Sequence, residues 1–275
     1  MTQQYIRVLT IAGSDSGGGA GIQADLKTFA ALGCYGMSAI TALTAQNTQG
    51  VTAIHAAPAE FLAAQIDAVM GDIGAHAVKI GMLHAPEIVH TVAAAIDRHD
   101  MAPVVLDPVM VSATGAPLIE PLATQAVVRE LFPRAALITP NLDEAALLLG
   151  RSITDEADLQ SAAQALIDLG ARAVLLKGGH LPGDEVLDVL AMAGQPPLCM
   201  TDARIATPNM HGAGCTLSSA IAAHLALGLD LSAAVQAGRH YVRQALAAGA
   251  DVRTGHGVGP LNHGFAPVPA HRLPL

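Results

Sequence analysis

The hydrophobic positions of the chain fall into two alternating patterns. Short, almost continuously apolar runs rich in Val, Ile and Leu alternate with longer Ala/Leu-rich segments. Continuous apolar runs are typical of strands that are buried on both faces, and the longer segments are typical of helices. The alternation therefore predicts the α/β class, with a mostly parallel central sheet covered by helices on both faces.

The same patterns give bounds for each element. We predict strands at residues 6–12, 37–43, 77–80, 104–107, 136–139 and 173–177, and a hairpin formed by residues 185–191 and 198–203. We predict helices at residues 21–32, 58–70, 86–98, 122–131, 142–149, 156–169, 216–227 and 231–247. Because no linker divides the chain, we expect one domain over residues 1–266 and a disordered Pro-rich tail over residues 267–275.

Composition and charge exclude several classes of function. Hydrophobic residues make up 52% of the chain, which suffices for a large core, and the net charge is −9 without a basic cluster. A nucleic-acid surface needs concentrated positive charge, so we expect no nucleic-acid partner. The three Cys residues have no disulfide or zinc spacing, which favours a reducing compartment. The uncharged segment 205–229 is interrupted by polar residues, so we expect a buried helix, no membrane partner and a cytoplasmic protein.

Several predicted strands end in polar or glycine-rich clusters. Examples are the glycine-rich run 13–21 and the residues Gln46, Asp107 and Lys177. In a parallel sheet, ligands bind in the crevice at the carboxyl ends of the strands. We therefore expect one active site at this edge.

The glycine-rich run 13–21 partly matches two nucleotide-binding motifs. Residues 19–24 match G-x-G-x-x-A, but no acidic residue follows between Asp25 and Glu60 to bind a ribose, which argues against NAD. Gly13 and Gly18 have the outer spacing of a Walker A motif, yet the Lys-Ser/Thr pair is missing. The run is either a flexible connection or a backbone that approaches a small ligand closely, and we favour the second because ordering glycines is costly.

Three of the strand ends have both a functional and a purely structural interpretation. The Gln46 amide could pair with a heteroaromatic edge such as an aminopyrimidine, or could face solvent in a loop. Asp107 could organise a cation or merely cap a loop. Lys177 ends a very apolar strand, where a phosphate partner is favoured over solvent exposure.

A fourth strand end precedes a helix and has the same ambiguity. Thr139 and Asn141 come just before the helix, and Glu144 lies in its first turn. This pattern is typical of a capped helix N-terminus. It also suits a Mg²⁺ or phosphate site, because Mg²⁺ prefers a few carboxylates together with waters and substrate phosphates.

The segment HGAGCT, residues 211–216, predicts an anion site. Gly212 and Gly214 permit a tight turn, and the N–H groups at the start of the following helix point outward into a positive dipole. Such a turn could hold a transferring phosphoryl group. A thiol at a helix N-terminus is expected to have a lowered pKa, so Cys215 would be reactive there. The alternative is a small buried Cys that packs the helix start.

Taken together, the motifs resemble the ribokinase-like superfamily, and more narrowly the hydroxymethylpyrimidine/phosphomethylpyrimidine kinases of thiamine biosynthesis. The resemblance runs from Leu9 to about His263 through IAGSDSGGGAGIQADLK, TAQNT, KIGML, LDPVM, TPNLDEA, LLKGGH and HGAGCT. It implies a three-layer α/β/α kinase, typically a homodimer. It also implies that ATP phosphorylates 4-amino-5-hydroxymethyl-2-methylpyrimidine to its monophosphate and then to its diphosphate.

The resemblance also implies residue roles. Gln46 would bind the pyrimidine; Gly13, Met82 and Val109 would line its pocket, and Asp25 would support substrate or phosphate geometry. The backbone of Gly212, Ala213 and Gly214, with Lys177, would stabilise the transferring phosphoryl group, and Cys215 replaces the aspartate base of most superfamily members. ATP binding would fall to Asp107, Thr139, Asn141, Glu144 and Lys177, and Mg²⁺ binding to Asp107 and Glu144.

The sequence departs from the family pattern at three positions and leaves other functions open. Met210 and Ala213 replace the threonines of THGTGC, and Asp143 adds an acid beside Glu144. The nearest alternative is a pyridoxal or pyridoxine kinase, whose substrate is also a ring with a hydroxymethyl group. A Cys-dependent phosphatase would need an arginine that the turn lacks, and a vitamin-precursor binding protein would not need the catalytic groups.

Overall fold

The strands form where the short apolar runs occur, and the helices form where the amphipathic segments occur. In the computed structural model, which describes residues 2–111 and 118–274, the strands are β1 (Gln3–Tyr5), β2 (Arg7–Asp15), β3 (Tyr35–Asn47), β4 (Gly50–Ala56), β5 (Ala77–Ile80), β6 (Val104–Leu106), β7 (Leu137–Ile138), β8 (Ala173–Lys177), β9 (Glu185–Met192), β10 (Leu198–Ala203) and β11 (Arg272–Pro274). The helices are α1 (Gly21–Ala31), α2 (Ala59–Asp72), α3 (Pro86–Arg98), α4 (Pro121–Ala126), α5 (Leu142–Leu149), α6 (Glu156–Asp168), α7 (Ala213–Ala226) and α8 (Leu231–Ala248), and a π-helical turn, Val127–Leu131, continues α4. Within these described ranges, no helix combines the length and apolar character needed to cross a membrane.

Nine of these strands form one sheet, in the order β10-β9-β8-β7-β6-β5-β2-β3-β4. Pairing is parallel from β3 through β2, β5, β6 and β7 to β8. It is antiparallel where β4 joins β3 and where the predicted β9–β10 hairpin joins β8. The mostly parallel sheet is therefore confirmed, and its parallel strands end along one edge.

The sheet separates two hydrophobic cores. Successive side chains of a strand point to opposite faces, so Leu9 belongs to the core that includes α2, α3 and α6, whereas Val8 belongs to the core that includes α1, α7 and α8. Both residues are fully buried. The helices thus cover both faces, which gives the predicted three layers.

The expectation of a disordered C-terminal tail is wrong for residues 272–274. These residues form β11, which pairs antiparallel with β1. The Val268 N–H donates to the Ala31 carbonyl at 2.9 Å, and the His271 N–H donates to the Gly33 carbonyl at 2.8 Å. Proline is tolerated here because both strands of a two-stranded ribbon are edge strands. Residue 275 of the predicted tail lies outside the described residues.

Two further differences concern element bounds. Strand β4 was not predicted, because its side chains are mostly exposed and give no apolar run. Helix α7 begins at Ala213 and not at residue 216, because only Gly212 has left-handed dihedrals (φ 85°), whereas Gly214 already belongs to the first helical turn. The turn before α7 is therefore shorter than the sequence suggests.

Candidate active site

The carboxyl ends of the parallel strands and the N-terminus of α7 enclose a cavity of ≈ 680 Å³. This volume is within the range of small-molecule sites. The cavity is lined by most of the predicted site residues: Gly13, Gln46, Met82, Asp107, Val109, Asn141, Glu144, Lys177, Gly212, Ala213, Gly214 and Cys215. The two exceptions, Asp25 and Thr139, are fully buried and contact lining side chains instead.

The glycine-rich loop folds around its own carboxylate. Asp15, a residue to which the sequence analysis assigned no role, accepts hydrogen bonds from the N–H groups of Gly17 (2.8 Å), Gly19 (3.0 Å) and Ala20 (2.8 Å). Burial raises the pKa of Asp15, but the hydrogen bonds from His211, Ala20 and Gly17 more than offset it, so the pKa lies below its usual value. These N–H groups are satisfied within the chain and are not available to an anion.

At one end of the cavity, Gln46 lies near an apolar wall. The Ser16 hydroxyl donates to the Gln46 carbonyl at 2.7 Å, and the Gln46 N–H donates to the same hydroxyl oxygen at 2.8 Å. The side-chain oxygen of Gln46 accepts from the Thr44 hydroxyl at 3.0 Å. Met82 and Val109 belong to a small apolar cluster that also lines this cavity. A polar amide combined with an apolar wall suits a flat heteroaromatic ring.

At the other end, a lysine and an aspartate form a buried pair. Lys177 Nζ donates to Asp107 Oδ1 at 3.0 Å, and the Thr139 hydroxyl donates to the same oxygen at 2.8 Å. Burial raises the pKa of Asp107, but the ammonium groups of Lys177 and Lys79 lower it by a larger amount. The pKa therefore lies below its usual value, and the carboxyl stays ionised. Lys177 therefore has a protein partner as well as access to the cavity.

Glu144 has the capping role that the sequence left open. Its carboxylate accepts from the Asn141 N–H at 2.8 Å, and the Asn141 side chain accepts from the Glu144 N–H at 2.9 Å, which forms a capping box. Burial raises the pKa of Glu144 to about 7, with Lys177 opposing and Asp107 adding to the shift. The neighbouring Asp143 pairs with His180 at 2.8 Å. Among residues 2–111 and 118–274, no group of three His, Cys, Asp or Glu side chains is arranged to hold a metal ion.

The start of α7 has no side-chain cap, which is also true of α1 to α4 but not of α5, α6 and α8. Those three helices have Asn or Asp side chains that cap them, whereas the N-cap of α7 is Gly212, which has no side chain to offer. The Ala213 N–H donates to the Met210 carbonyl, but the N–H groups of Gly214 and Cys215 have no acceptor among the described residues. Free N–H groups at a helix start attract anions. Lys177 Nζ lies close by, 3.1 Å from where a Cβ of Gly214 would stand.

The lowered pKa expected for Cys215 is wrong. Burial raises the pKa of this thiol to about 11, although the Lys79 ammonium and a hydrogen bond from the Gly21 N–H act in the opposite direction. Desolvation of the thiolate therefore outweighs the favourable interactions with Lys79 and Gly21. Cys215 is half-buried because it lines the cavity, and a pKa of about 11 keeps most of its thiol protonated at neutral pH.

The sequence analysis also missed Lys79. This lysine is fully buried, lines the cavity and places its ammonium 3.0 Å from both oxygens of Asp25. Asp25 also accepts from the Thr10 and Ser219 hydroxyls, each at 2.6 Å. The available signal was a single charged residue inside the otherwise apolar strand β5.

The topology of the sheet and the uncapped helix facing a strand-end lysine define the class of protein as a ribokinase-like small-molecule kinase. Comparison with known proteins narrows this class. A family model described as phosphomethylpyrimidine kinase matches residues 15–262. A hydroxymethylpyrimidine/phosphomethylpyrimidine kinase of Rhizobium meliloti is 52% identical over 256 residues, which cover 93% of this chain and 96% of that protein. The chain belongs to the phosphomethylpyrimidine kinase family.

Solved structures support the same assignment. The crystal structure of phosphomethylpyrimidine kinase from Clostridium difficile has 43% sequence identity and a TM-score of 0.77, and the match covers 88% of this chain and 99% of that one. An ADP complex of Bacillus subtilis pyridoxal kinase has 36% identity and a TM-score of 0.87, with 94% and 98% of the two chains covered. The chain is therefore a phosphotransferase, and the interpretation as a binding protein without catalysis is set aside.

Proposed function

We propose that the protein uses ATP to phosphorylate the hydroxymethyl group of 4-amino-5-hydroxymethyl-2-methylpyrimidine, and then phosphorylates the monophosphate again to the diphosphate. The observation that carries this proposal is the single cavity that contains Gln46 beside an apolar wall, the free N–H groups of α7 and the Lys177–Asp107 pair. An amide that can both donate and accept suits the aminopyrimidine edge. The close sequence relatives support this substrate.

In the proposed reaction, the substrate hydroxyl attacks the γ-phosphoryl group in line. The N–H groups of Gly214 and Cys215 would stabilise the charge that develops on the phosphoryl oxygens, and Lys177 would neutralise part of it. The new O–P bond forms as the bond from the γ-phosphorus to the bridging oxygen of ADP breaks, and because the transition state is loose, the hydroxyl proton leaves late and passes to an oxygen of the transferred phosphoryl group. With a pKa of about 11, Cys215 acts on this hydroxyl as a hydrogen-bonding thiol and not as a base that is ionised at rest.

Mg²⁺ is part of the proposal, and the residues present fit it. Asp107 Oδ1 is occupied by Thr139 and Lys177, whereas Oδ2 has no partner among the described residues. Together with Glu144, this gives the one or two carboxylates that Mg²⁺ takes beside phosphate oxygens and water. When bound, the ion would supply positive charge to the phosphates of ATP.

Pyridoxal is the second candidate substrate, because the pyridoxal kinase of Bacillus subtilis has a similar structure. An ADP-release assay with each compound in turn, at equal concentrations and with Mg-ATP, separates the two functions. We expect kcat/KM for the pyrimidine to exceed that for pyridoxal at least tenfold. A higher value for pyridoxal would overturn the proposal.

The homodimer implied by the resemblance and the cytoplasmic location expected from the sequence stay predictions. Sedimentation equilibrium of the purified protein tests the first, and fractionation of expressing cells tests the second. A monomer at micromolar concentration would contradict the expected assembly.

A further inference from the structure

The carboxylate of Asp15 joins two segments that are far apart in the chain. Its Oδ1 accepts from the Gly17 N–H, and its Oδ2 accepts from the Gly19 and Ala20 N–H groups and from His211 Nε2 at 2.8 Å. Both side chains are buried, Asp15 to 2% and His211 to 9% exposure. His211 immediately precedes the Gly212 turn that opens α7. The contact therefore ties the glycine-rich loop to the turn that would hold the phosphoryl group.

Close backbone packing surrounds this contact. A Cβ at Gly19 would stand 2.5 Å from the His211 ring, and a Cβ at Gly212 would overlap the Gly19 carbonyl oxygen. The glycine-rich loop thus has Gly19 where the His211 ring approaches, and the turn before α7 has Gly212 where the loop backbone approaches. The His211 N–H also donates to the Gly259 carbonyl at 3.0 Å, which fixes the backbone from the other side.

His211 also contacts the residue proposed to bind the pyrimidine. Its Nε2 lies 3.4 Å from Nε2 of Gln46. Because the ring Nε2–H of His211 is directed to Asp15, Nε2 offers no acceptor to the amide, and the side-chain N–H groups of Gln46 stay available to the cavity. The imidazole of His211 thus contacts the end of the cavity proposed for the pyrimidine. The backbone of the same residue leads directly into the Gly212 turn that opens α7.

We infer that Asp15 and His211 are positioning residues: their hydrogen bond holds the Gly212–Cys215 turn in register with Gln46, so that the hydroxyl of a bound substrate meets the phosphoryl group. The inference rests on the proposed function, because it assigns the two ends of the cavity to the pyrimidine and to ATP. Neither side chain takes part in bond making. Loss of the hydrogen bond between Asp15 and His211 should therefore lower kcat much more than it changes KM.

The matched variants are His211→Gln and His211→Asn. The longer Gln side chain can place an amide N–H where the imidazole Nε2–H lies, whereas that of Asn is too short to reach Asp15. We expect kcat with Mg-ATP and the pyrimidine to fall at least twentyfold in His211→Asn and less than fivefold in His211→Gln. We expect KM for the pyrimidine to change less than threefold in both, because Thr44 and Ser16 still hold Gln46.

Three further variants, Asp15→Asn, Asp15→Asn/His211→Asn and His99→Asn, separate positioning from simple stabilisation. Asp15→Asn/His211→Asn should be no slower than the slower single variant, because both changes remove the same interaction. His99→Asn is the control, since His99 forms an equally short contact with Asp67 (2.7 Å) away from the cavity residues, and it should keep full kcat. Equal kcat for His211→Gln and His211→Asn, or additive losses in the double variant, would overturn the inference.

Hydrogen exchange gives a readout that does not depend on turnover. We expect amides of residues 14–21 to exchange at least tenfold faster in His211→Asn than in His211→Gln, with no ligand added. Unchanged exchange in this segment would overturn the inference even if the variants were slow. Failure of the proposed function looks different, because the unaltered protein would then form no phosphorylated pyrimidine while the exchange difference persisted.

Discussion

Two opposing electrostatic effects determine the pKa of the Cys215 thiol. The Lys79 ammonium and the Gly21 N–H favour the thiolate, and burial disfavours it by removing water from the negative charge. The resulting pKa of about 11 indicates that burial dominates. The thiol that we propose to contact the substrate hydroxyl therefore stays neutral at rest.

This account predicts slow alkylation of Cys215. At pH 8 only roughly a thousandth of the thiol would be ionised, so iodoacetamide should label it at least tenfold more slowly than the exposed Cys199. The rate should keep rising with pH beyond pH 10. Peptide mass spectrometry measures both sites in one sample, and a rate that levels off below pH 8 would contradict the account.

The buried ion pair of Lys79 and Asp25 acts on the pKa of this thiol, and we expect substitutions of its two members to have opposite effects. The Lys79 ammonium lowers the Cys215 pKa and the Asp25 carboxylate raises it. Lys79→Met should therefore slow alkylation at pH 9.5, and Asp25→Asn should accelerate it. Because each change leaves a buried charge unpaired, the double variant Lys79→Met/Asp25→Asn serves as the folded control. Shifts of the same sign in the two single variants would refute this electrostatic assignment.

At the scale of elements, the sequence predicted the sheet well and the contacts between its ends less well. Near-continuous apolar strands are a strong local signal, so the parallel sheet and the β9–β10 hairpin were found. Strand β4 was missed because its exposed residues make no apolar run, and the tail strand was missed because proline suggests disorder. Partners such as Lys177–Asp107, 70 residues apart, depend on tertiary packing that no local pattern encodes.

The same reasoning explains which site residues were found. Gln46, Asp107, Lys177 and Cys215 stand out because each is a polar residue at the end of a strand or the start of a helix. Asp15 was overlooked because its glycine neighbours suggested a ligand loop, although its role is to hold that loop. Such internal use of backbone N–H groups becomes visible only in three dimensions.

Gly212, which precedes α7, and Gly228, which follows it, provide a matched pair of glycine substitutions. Gly212 (φ 85°) and Gly228 (φ 91°) both have left-handed dihedrals, but only a Cβ at Gly212 would overlap another backbone atom, the Gly19 carbonyl oxygen. Gly228→Ala should cost about 1 kcal/mol of stability and leave kcat unchanged. Gly212→Ala should cost more and lower kcat at least tenfold, because the turn must move. Urea unfolding and steady-state kinetics check this, and equal effects of the two substitutions would speak against a close-packed turn.

At the scale of the whole molecule, the C-terminal ribbon and the active site lie at opposite ends of the sheet. The ribbon contacts the chain where β2 and β3 begin, through Ile6, Gly33 and their neighbours, whereas the cavity lies where these strands end. The tail should therefore contribute to stability and not to catalysis.

Deletion of residues 266–275 tests this separation. The change removes the β1–β11 pairing and the hydrogen bonds from Val268 and His271, so the free energy of unfolding should fall by about 2–4 kcal/mol. We expect kcat at 20 °C to stay within twofold of the full chain. A large loss of kcat in a truncated protein of unchanged stability would mean that the tail acts on the site.

The most direct test of the central claim follows both phosphorylations in one sample. Phosphorus NMR of the protein with Mg-ATP and 4-amino-5-hydroxymethyl-2-methylpyrimidine should reveal a monophosphate that rises and then declines as the diphosphate appears, with two ATP consumed per diphosphate. The Cys215→Ala variant should lose most of this turnover while still binding the pyrimidine. If ATP were consumed without any phosphorylated pyrimidine, or were not consumed at all, the proposed function would be contradicted.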